Sequence, residues 1–124
     1  MSTALFTHSY FYPLDPKQWK FKQPYPPLMT LQAASIARQN GFEVSLFDSN
    51  LQKDPHQIAE ALKEHKPTYC ILVDDGFNYL TKMCLSVMRD AAFCIVREAK
   101  KAGCTVIVNS SDSTDNGELY LHQG

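Results

Sequence analysis

The chain lacks the motifs by which most nucleotide and metal sites are recognised in a sequence. It has no GxGxxG and no GxxxxGKS or GxxxxGKT pattern, so dinucleotides and nucleoside triphosphates are poor candidate ligands. None of its four cysteines belongs to a CxxC pair, which argues against a zinc site and a thioredoxin-type centre. Each cysteine lies in an apolar, periodic segment, and this placement predicts buried, reduced thiols.

An excess of one charge and a long hydrophobic run are also missing. Twelve Lys and Arg residues stand against thirteen Asp and Glu, so no basic surface for nucleic acid or for an anionic membrane is expected. No run reaches eighteen apolar residues, and the sequence from Met1 to Phe6 leads directly into a strand-like segment. We therefore expect neither a membrane span nor a signal peptide, and a cytoplasmic location.

Strand-like and helix-like segments alternate along the chain, which is the pattern of a parallel sheet with helices on both faces. The predicted strands are Thr3–Thr7, Glu43–Asp48, Tyr69–Val73 and Thr105–Val108. The third reads YCILV, a continuous apolar run typical of a strand buried on both faces. Right-handed crossovers then give the strand order 2-1-3-4. The predicted fold class is α/β, a flavodoxin-like doubly wound parallel sheet in three αβα layers.

Proline, asparagine and glycine mark the ends of the predicted helices. These helices run from Pro26-Pro27 to Asn40-Gly41, from Asp54-Pro55 to just before Lys66-Pro67, from about Lys82 to Ala102, and near Gly117 to His122. The first helix carries a stripe of small residues, which predicts close packing on the sheet. The stripe consists of Thr30, Ala33, Ala34 and Ala37.

A length of 124 residues suits one domain. Four strands are fewer than a doubly wound domain usually has, and a fifth would begin where the sequence stops at Gly124. We therefore expect residues 1–124 to form a single domain that is a fragment of a longer enzyme and lacks the last strand.

In such a sheet, ligands bind beyond the carboxyl ends of the strands, at the switch point between the first and third strands. This rule selects three loops, His8–Pro26, Asp74–Thr81 and Asn109–Asn116. The candidate cofactor-binding residues in these loops are His8, Tyr25, Asp74, Asp75, Gly76, Asn78, Asn109, Ser110, Ser111, Ser113 and Thr114.

Each loop allows two interpretations. The first loop is rich in aromatic residues and proline. Its aromatic side chains either contact a flat ligand or a docking partner, or the loop covers the exposed edge of the sheet. In the second, Asp74 and Asp75 would suit the magnesium-binding site of a receiver domain, but that site also needs acids after the first strand. Gly76 permits either a close ligand or a turn, and Asn78 either caps the long helix or binds the ligand. The hydroxyls of the third loop suit phosphate, ribose or amide groups, or else cap a helix that starts at residues 113–116.

The segment Asp54-Pro55-His56 resembles the start of the DxHxxG motif that supplies the lower cobalt ligand in cobalamin-dependent methionine synthase and mutases. In those proteins the motif follows the first strand and ends in glycine. Here it precedes the second helix, and Ala59 occupies the glycine position. We therefore interpret His56 as a solvated residue in the first turn of a helix.

Three stretches resemble another class of cobalamin proteins. YPPLMTLQAASIARQNGFEVSLFDSNL (residues 25–51) is similar to the start of the cobalamin-binding domains attached to radical S-adenosylmethionine enzymes, which have Pro-Pro-Leu-Gly, an Ala-rich helix, Gly-x-x-Val and an acid ending the second strand. NYLTKMCLSVMR (78–89) and SDSTDNGELYLHQG (111–124) are also similar to that family. The chain departs from it at Met29, where the family commonly has glycine.

The resemblance implies a cobalamin-binding module that holds the cofactor without a protein histidine below the cobalt. It also implies a C-terminal catalytic domain of the same parent chain, with a CxxxCxxC iron–sulfur motif that this sequence does not contain. The parent would be a methyltransferase or an oxidative cyclase of the magnesium-protoporphyrin monomethyl ester type, and the present chain would hold no catalytic residue or metal ligand. The alternative is a receiver-like regulatory or protein-interaction domain that binds no cofactor.

Overall fold

Four parallel strands form the centre of the structure, a computed structural model that describes residues 2–11, 27–74 and 85–123. They are β1 (Thr3–Thr7), β2 (Glu43–Leu46), β3 (Tyr69–Val73) and β4 (Thr105–Asn109). Their order is β2-β1-β3-β4, and all three pairings are parallel. The predicted fold class and strand order are confirmed.

Helices connect the strands and complete the outer layers. They are α1 (Leu28–Gln39), α2 (Ile58–His65), α3 (Leu85–Lys101), α4 (Ser111–Asp115) and α5 (Gly117–Leu121), with 3-10 turns at Ser49–Leu51 and Pro55–Gln57. One face of the sheet packs against α1 through a small cluster that includes Ala4, Phe6 and Ala34. The larger core lies on the other face, where residues of α2, α3 and α5 cover Leu5 and Cys70.

Three predicted boundaries were wrong. The fourth strand ends at Asn109, one residue beyond its predicted end at Val108. The second strand ends at Leu46 rather than Asp48, because the backbone beyond Phe47 turns into the 3-10 segment that begins at Ser49. The segment 109–116, predicted as a loop, contains the helix α4, which starts two residues before the alternative helix start considered above. In β3, Cys70, Leu72 and Val73 are buried as expected, whereas Ile71 is only partly buried.

The strand β4 forms one edge of the sheet, since it pairs with β3 alone among the described residues. Its central side chain, Ile107, is 46% exposed. The expected fifth strand would lie along this edge, and its existence stays a prediction. Within the described ranges, no helix combines the length and hydropathy needed to cross a bilayer.

The small-residue stripe of α1 faces the sheet as the sequence predicts. Thr30 and Ala34 are buried, and Ala33 and Ala37 pack against the same cluster. The Thr30 hydroxyl donates to the carbonyl oxygen of Val73 at 3.0 Å, which brings the helix to the carboxyl end of β3. Small side chains at these positions allow this approach.

Replacing Ala34 by leucine tests this packing. We expect Ala34→Leu to lower the free energy of unfolding by about 1–3 kcal/mol, because extra methylene groups must be forced between helix and sheet. Ser35→Leu is the matched control, since Ser35 is exposed on the same helix, and it should change stability by less than about 0.5 kcal/mol. Urea unfolding of both variants measures the difference, and equal stabilities would contradict close packing at Ala34.

Candidate functional site

Buried polar side chains converge where β1 ends. Thr7, His8 and Ser9 follow one another at this point, and all three are buried. Their partners come from the ends of β2 and β3, which lie on either side of β1. The described part of the switch point is therefore polar and almost closed to solvent.

His8 binds a partner through each of its ring nitrogens. Nε2 lies 2.9 Å from Oδ1 of Asp48, and the backbone N–H of Tyr10 donates to Nδ1 at 3.3 Å. Because Nδ1 accepts this bond, the proton of the neutral ring lies on Nε2 and is donated to Asp48. The His8 ring is completely buried, while the Asp48 side chain is 22% exposed. The pair therefore reaches the surface through its carboxylate.

Hydroxyl groups connect the ends of β1 and β2. The Thr7 hydroxyl donates to the carbonyl oxygen of Phe47 at 2.9 Å, and the Ser49 hydroxyl donates to the carbonyl oxygen of His8 at 2.6 Å. These bonds satisfy backbone carbonyls that leave the sheet ladder, where an unpaired buried group would cost about 1–3 kcal/mol.

Asp74 makes the corresponding connection between β1 and β3. Its Oδ1 accepts from the backbone N–H of Ser9 and its Oδ2 from the Ser9 hydroxyl, both at 2.6 Å. The Asp74 backbone N–H donates to the carbonyl oxygen of Asn109 at 3.0 Å. Asp74 is buried, and its side chain and backbone together link the ends of β1, β3 and β4.

The hydroxyls after β4 are used within the chain to start α4. The Ser110 hydroxyl accepts from the backbone N–H of Ser113 at 3.0 Å, and the Ser113 hydroxyl accepts from the backbone N–H of Ser110 at 3.2 Å. This reciprocal arrangement is a capping box. The Thr114 hydroxyl donates to the carbonyl oxygen of Ser110 at 3.1 Å, and the Thr114 residue remains exposed.

A second polar cluster holds α3, α4 and α5 together. Arg89 donates to both carboxylate oxygens of Asp112, at 2.8 and 2.5 Å, and the Tyr120 hydroxyl donates to Oδ2 at 2.7 Å. The Asp112 side chain is 5% exposed and that of Arg89 is 28% exposed. The hydrogen bonds from Arg89 lower the pKa of Asp112, while burial and then the bond to Asp112 raise the pKa of Tyr120.

A groove of about 460 Å³ runs beside β4. Val106 and Val108 line it from the strand, and Ser113 and Thr114 line it from α4. Tyr120 closes the side formed by α5. The structure thus brings two predicted site residues together next to a cavity, although their hydroxyls also bond within the helix.

His56 and the described cysteines lie outside the polar clusters at the strand ends. The His56 side chain is 73% exposed and lies in the 3-10 turn before α2, which confirms its interpretation as a solvated first-turn residue. Its ring lies 3.4 Å from Sγ of Cys94. Cys70, Cys94 and Cys104 are free and buried, as predicted, and burial raises the pKa of Cys70 to about 12.

Among the predicted cofactor-binding residues, His8 follows β1 and Asp74 follows β3. Asn109 is the last residue of β4, Ser110 precedes α4, and Ser113 and Thr114 lie within α4. Tyr25, Asp75, Gly76 and Asn78 lie outside the described residues, and for Ser111 only the backbone is described. Sequence reasoning missed four members of the cluster, namely Thr7, Ser9, Asp48 and Ser49. The rule that ligands bind beyond the carboxyl ends of the strands would have identified them if it had been applied to the end of β2 and to the residues around His8.

Among the residues that the structure describes, no group of three His, Cys, Asp or Glu side chains is arranged to hold a metal ion. Comparison with known proteins finds no matching family model and no matching curated protein. Membership of the cobalamin-binding family therefore stays a prediction.

We expect the Arg89–Asp112 pair to make the free energy of unfolding depend on pH. A carboxylate whose pKa is lowered by folding stabilises the folded state above its unfolded pKa of about 3.9, and this stabilisation is lost as the pH falls through the folded pKa. We expect Asp112→Asn to lower the free energy of unfolding at pH 7 by about 1–3 kcal/mol. The deficit should shrink as the pH falls from 5 to 2.5.

Urea unfolding at several pH values measures this effect. Asp115→Asn is the control, because Asp115 is an exposed carboxylate on the same helix, and it should follow the wild-type pH profile. A deficit for Asp112→Asn that is independent of pH would show that the charge of the pair contributes nothing.

Proposed function

We propose that the domain binds cobalamin at the carboxyl edge of its sheet and serves as the cofactor module of a radical S-adenosylmethionine enzyme. The observation that carries the proposal is the convergence of His8, Asp48 and Asp74 at the ends of three adjacent strands. This is where doubly wound sheets bind their ligands. The sequence resemblance narrows the ligand from a cofactor in general to cobalamin.

The bonding of His8 supports binding without a protein imidazole below the cobalt. A histidine ligand must offer a ring nitrogen lone pair to the metal. In His8, the Nδ1 lone pair accepts the Tyr10 N–H and Nε2 donates to Asp48. Because the ring is also completely buried, it would have to break both bonds and move before it could bind cobalt.

The groove beside β4 supports a site for the cofactor's nucleotide tail. The tail carries a phosphate, a ribose and a flat base, and the groove combines apolar walls from Val106 and Val108 with the hydroxyls of Ser113 and Thr114. Asn109 is exposed at the end of β4 and would contact amides at the corrin edge. When bound, cobalamin would supply the cobalt chemistry that the enzyme's separate catalytic domain uses.

Titration with hydroxocobalamin, followed by absorbance, tests the binding site. We expect weak binding, because in the proposed enzyme the catalytic domain would cover the second side of the broad corrin ring, so that this domain alone removes less apolar area from water. Asn109→Ala and Thr114→Ala should each weaken binding by about 0.5–1.5 kcal/mol, the net value of one hydrogen bond. Glu64→Gln is the control, since Glu64 is exposed at the end of α2 and should bind like the wild type.

Equal affinities for all three variants would contradict the site. A complete lack of binding would contradict the function and favour the alternative of a receiver-like interaction domain. Such a domain is consistent with the hydrogen bonds that the polar groups at the strand ends form with one another.

Electron paramagnetic resonance of bound cob(II)alamin tests the coordination of cobalt. We expect identical spectra for protein that contains natural or ¹⁵N-labelled histidine, because neither ring nitrogen of His8 is available to the metal. A nitrogen splitting that changes from three lines to two on labelling would identify a protein imidazole as the ligand and overturn this part of the proposal.

A further inference from the structure

A groove with an apolar floor and a basic rim lies between the ends of α2 and α3. Its volume is about 390 Å³. Leu62, which is 2% exposed, and the buried Pro67 form part of the floor. Pro67 precedes β3, so the groove lies at the amino edge of the sheet, opposite the proposed cofactor site.

The rim of the groove carries three ammonium groups and one carboxylate. Lys63, Lys66 and Lys101 line it together with Glu98. Glu98 lies 3.6 Å from the Lys101 ammonium group. Among the described residues, neither Lys63 nor Lys66 forms an ion pair. The groove therefore has a net positive charge in a chain whose net charge is −1.

The backbone at Lys66 is unusual. Lys66 has φ 46° and ψ 54°, the left-handed conformation that glycine normally provides after a helix. It is the one residue other than glycine with a positive φ among those the structure describes. Lysines near helix C-termini interact favourably with the helix dipole, but that interaction does not require a side chain at this strained position. A disfavoured conformation that is retained beside a cavity points to a use for the side chain.

We propose that this groove is a docking site for a short acidic segment of a partner protein. An apolar side chain of the segment would lie on Leu62 and Pro67, and carboxylates on either side of it would pair with Lys63 and Lys66. Charge complementarity favours an acidic partner, because the groove has a net positive charge and neither Lys63 nor Lys66 is neutralised by an ion pair among the described residues. Three lysines around one groove can pair with a short acidic peptide, whereas nucleic acid needs an extended basic surface, which a chain of net charge −1 does not provide.

Fluorescence anisotropy with a labelled, capped peptide tests the proposal. The probe has one leucine between two pairs of glutamates, and its matched control has glutamines in place of the glutamates. We expect the glutamate peptide to bind at low salt and to weaken as salt is added, because exposed charges are screened. Lys63→Gln and Lys66→Gly should each weaken binding about two- to fivefold, the effect of one exposed ion pair.

Lys66→Gly separates binding from stability. Glycine adopts the left-handed conformation freely, so this variant should melt at a temperature no lower than the wild type while it binds the peptide less well. Lys53→Gln removes one exposed lysine elsewhere and should leave peptide binding unchanged. Equal binding of the two peptides, or equal binding by Lys66→Gly and Lys53→Gln, would overturn the proposal.

The proposal is independent of the cofactor. Hydroxocobalamin titration of Lys66→Gly should match that of the wild type, since Lys66 lies at the opposite edge of the sheet. A loss of peptide binding together with unchanged cobalamin binding would confirm two separate surfaces.

Discussion

The central pairing of β1 with β3 imposes the constraint on which the rest of the structure depends. β1 is covered on both sides by neighbouring strands and on both faces by helices, so its residues from Ala4 onward are buried. His8 and Ser9, which follow β1, are also buried, so their backbone groups need hydrogen-bond partners. The Ser49 hydroxyl bonds to the carbonyl oxygen of His8, and the Asp74 carboxylate accepts from the backbone N–H of Ser9. The polar cluster is therefore a direct consequence of burying the first strand.

The same constraint shapes the packing around the sheet. On one face, the small residues of α1 let the helix approach until Thr30 bonds to the end of β3. On the other face, α3 contributes Ala91, Ile95 and Ala99 to the larger core, and Arg89 on this helix binds Asp112 of α4. The contacts of α1 and α3 thus reach the carboxyl edge from both sides. The edge is held by the core elements themselves and not by loops alone.

Sequence patterns predicted the elements that are marked by a continuous apolar run or by a glycine at the end of a helix. The continuous run at Tyr69–Val73 and the glycine at residue 41 marked elements whose positions the structure confirms. The strand order followed from the handedness of crossovers, a rule that needs no side-chain detail. By contrast, α4 was predicted only as the alternative to a loop, with its start two residues too late, because Ser110 and Ser113 suit a polar loop and a capping box equally well. Only the reciprocal bonds between their hydroxyls and backbone N–H groups distinguish the two.

Sequence reasoning predicted where the candidate site lies, but not which hydrogen bonds its residues form. Strand ends identified His8 and Asp74, whereas the partner of His8 lies 40 residues away and became apparent only from the register of β1 with β2. That register brings Asp48 to Nε2 of His8, while Nδ1 accepts from the backbone N–H of Tyr10, two residues further along the chain. A ligand at this edge would meet the partly exposed carboxylate of Asp48 and the exposed side chains of Asn109 and Thr114, above a layer of groups already bonded to one another. Among the described residues, these bonds hold the rim in place before a ligand arrives, so that this part of the rim would lose little conformational freedom on binding.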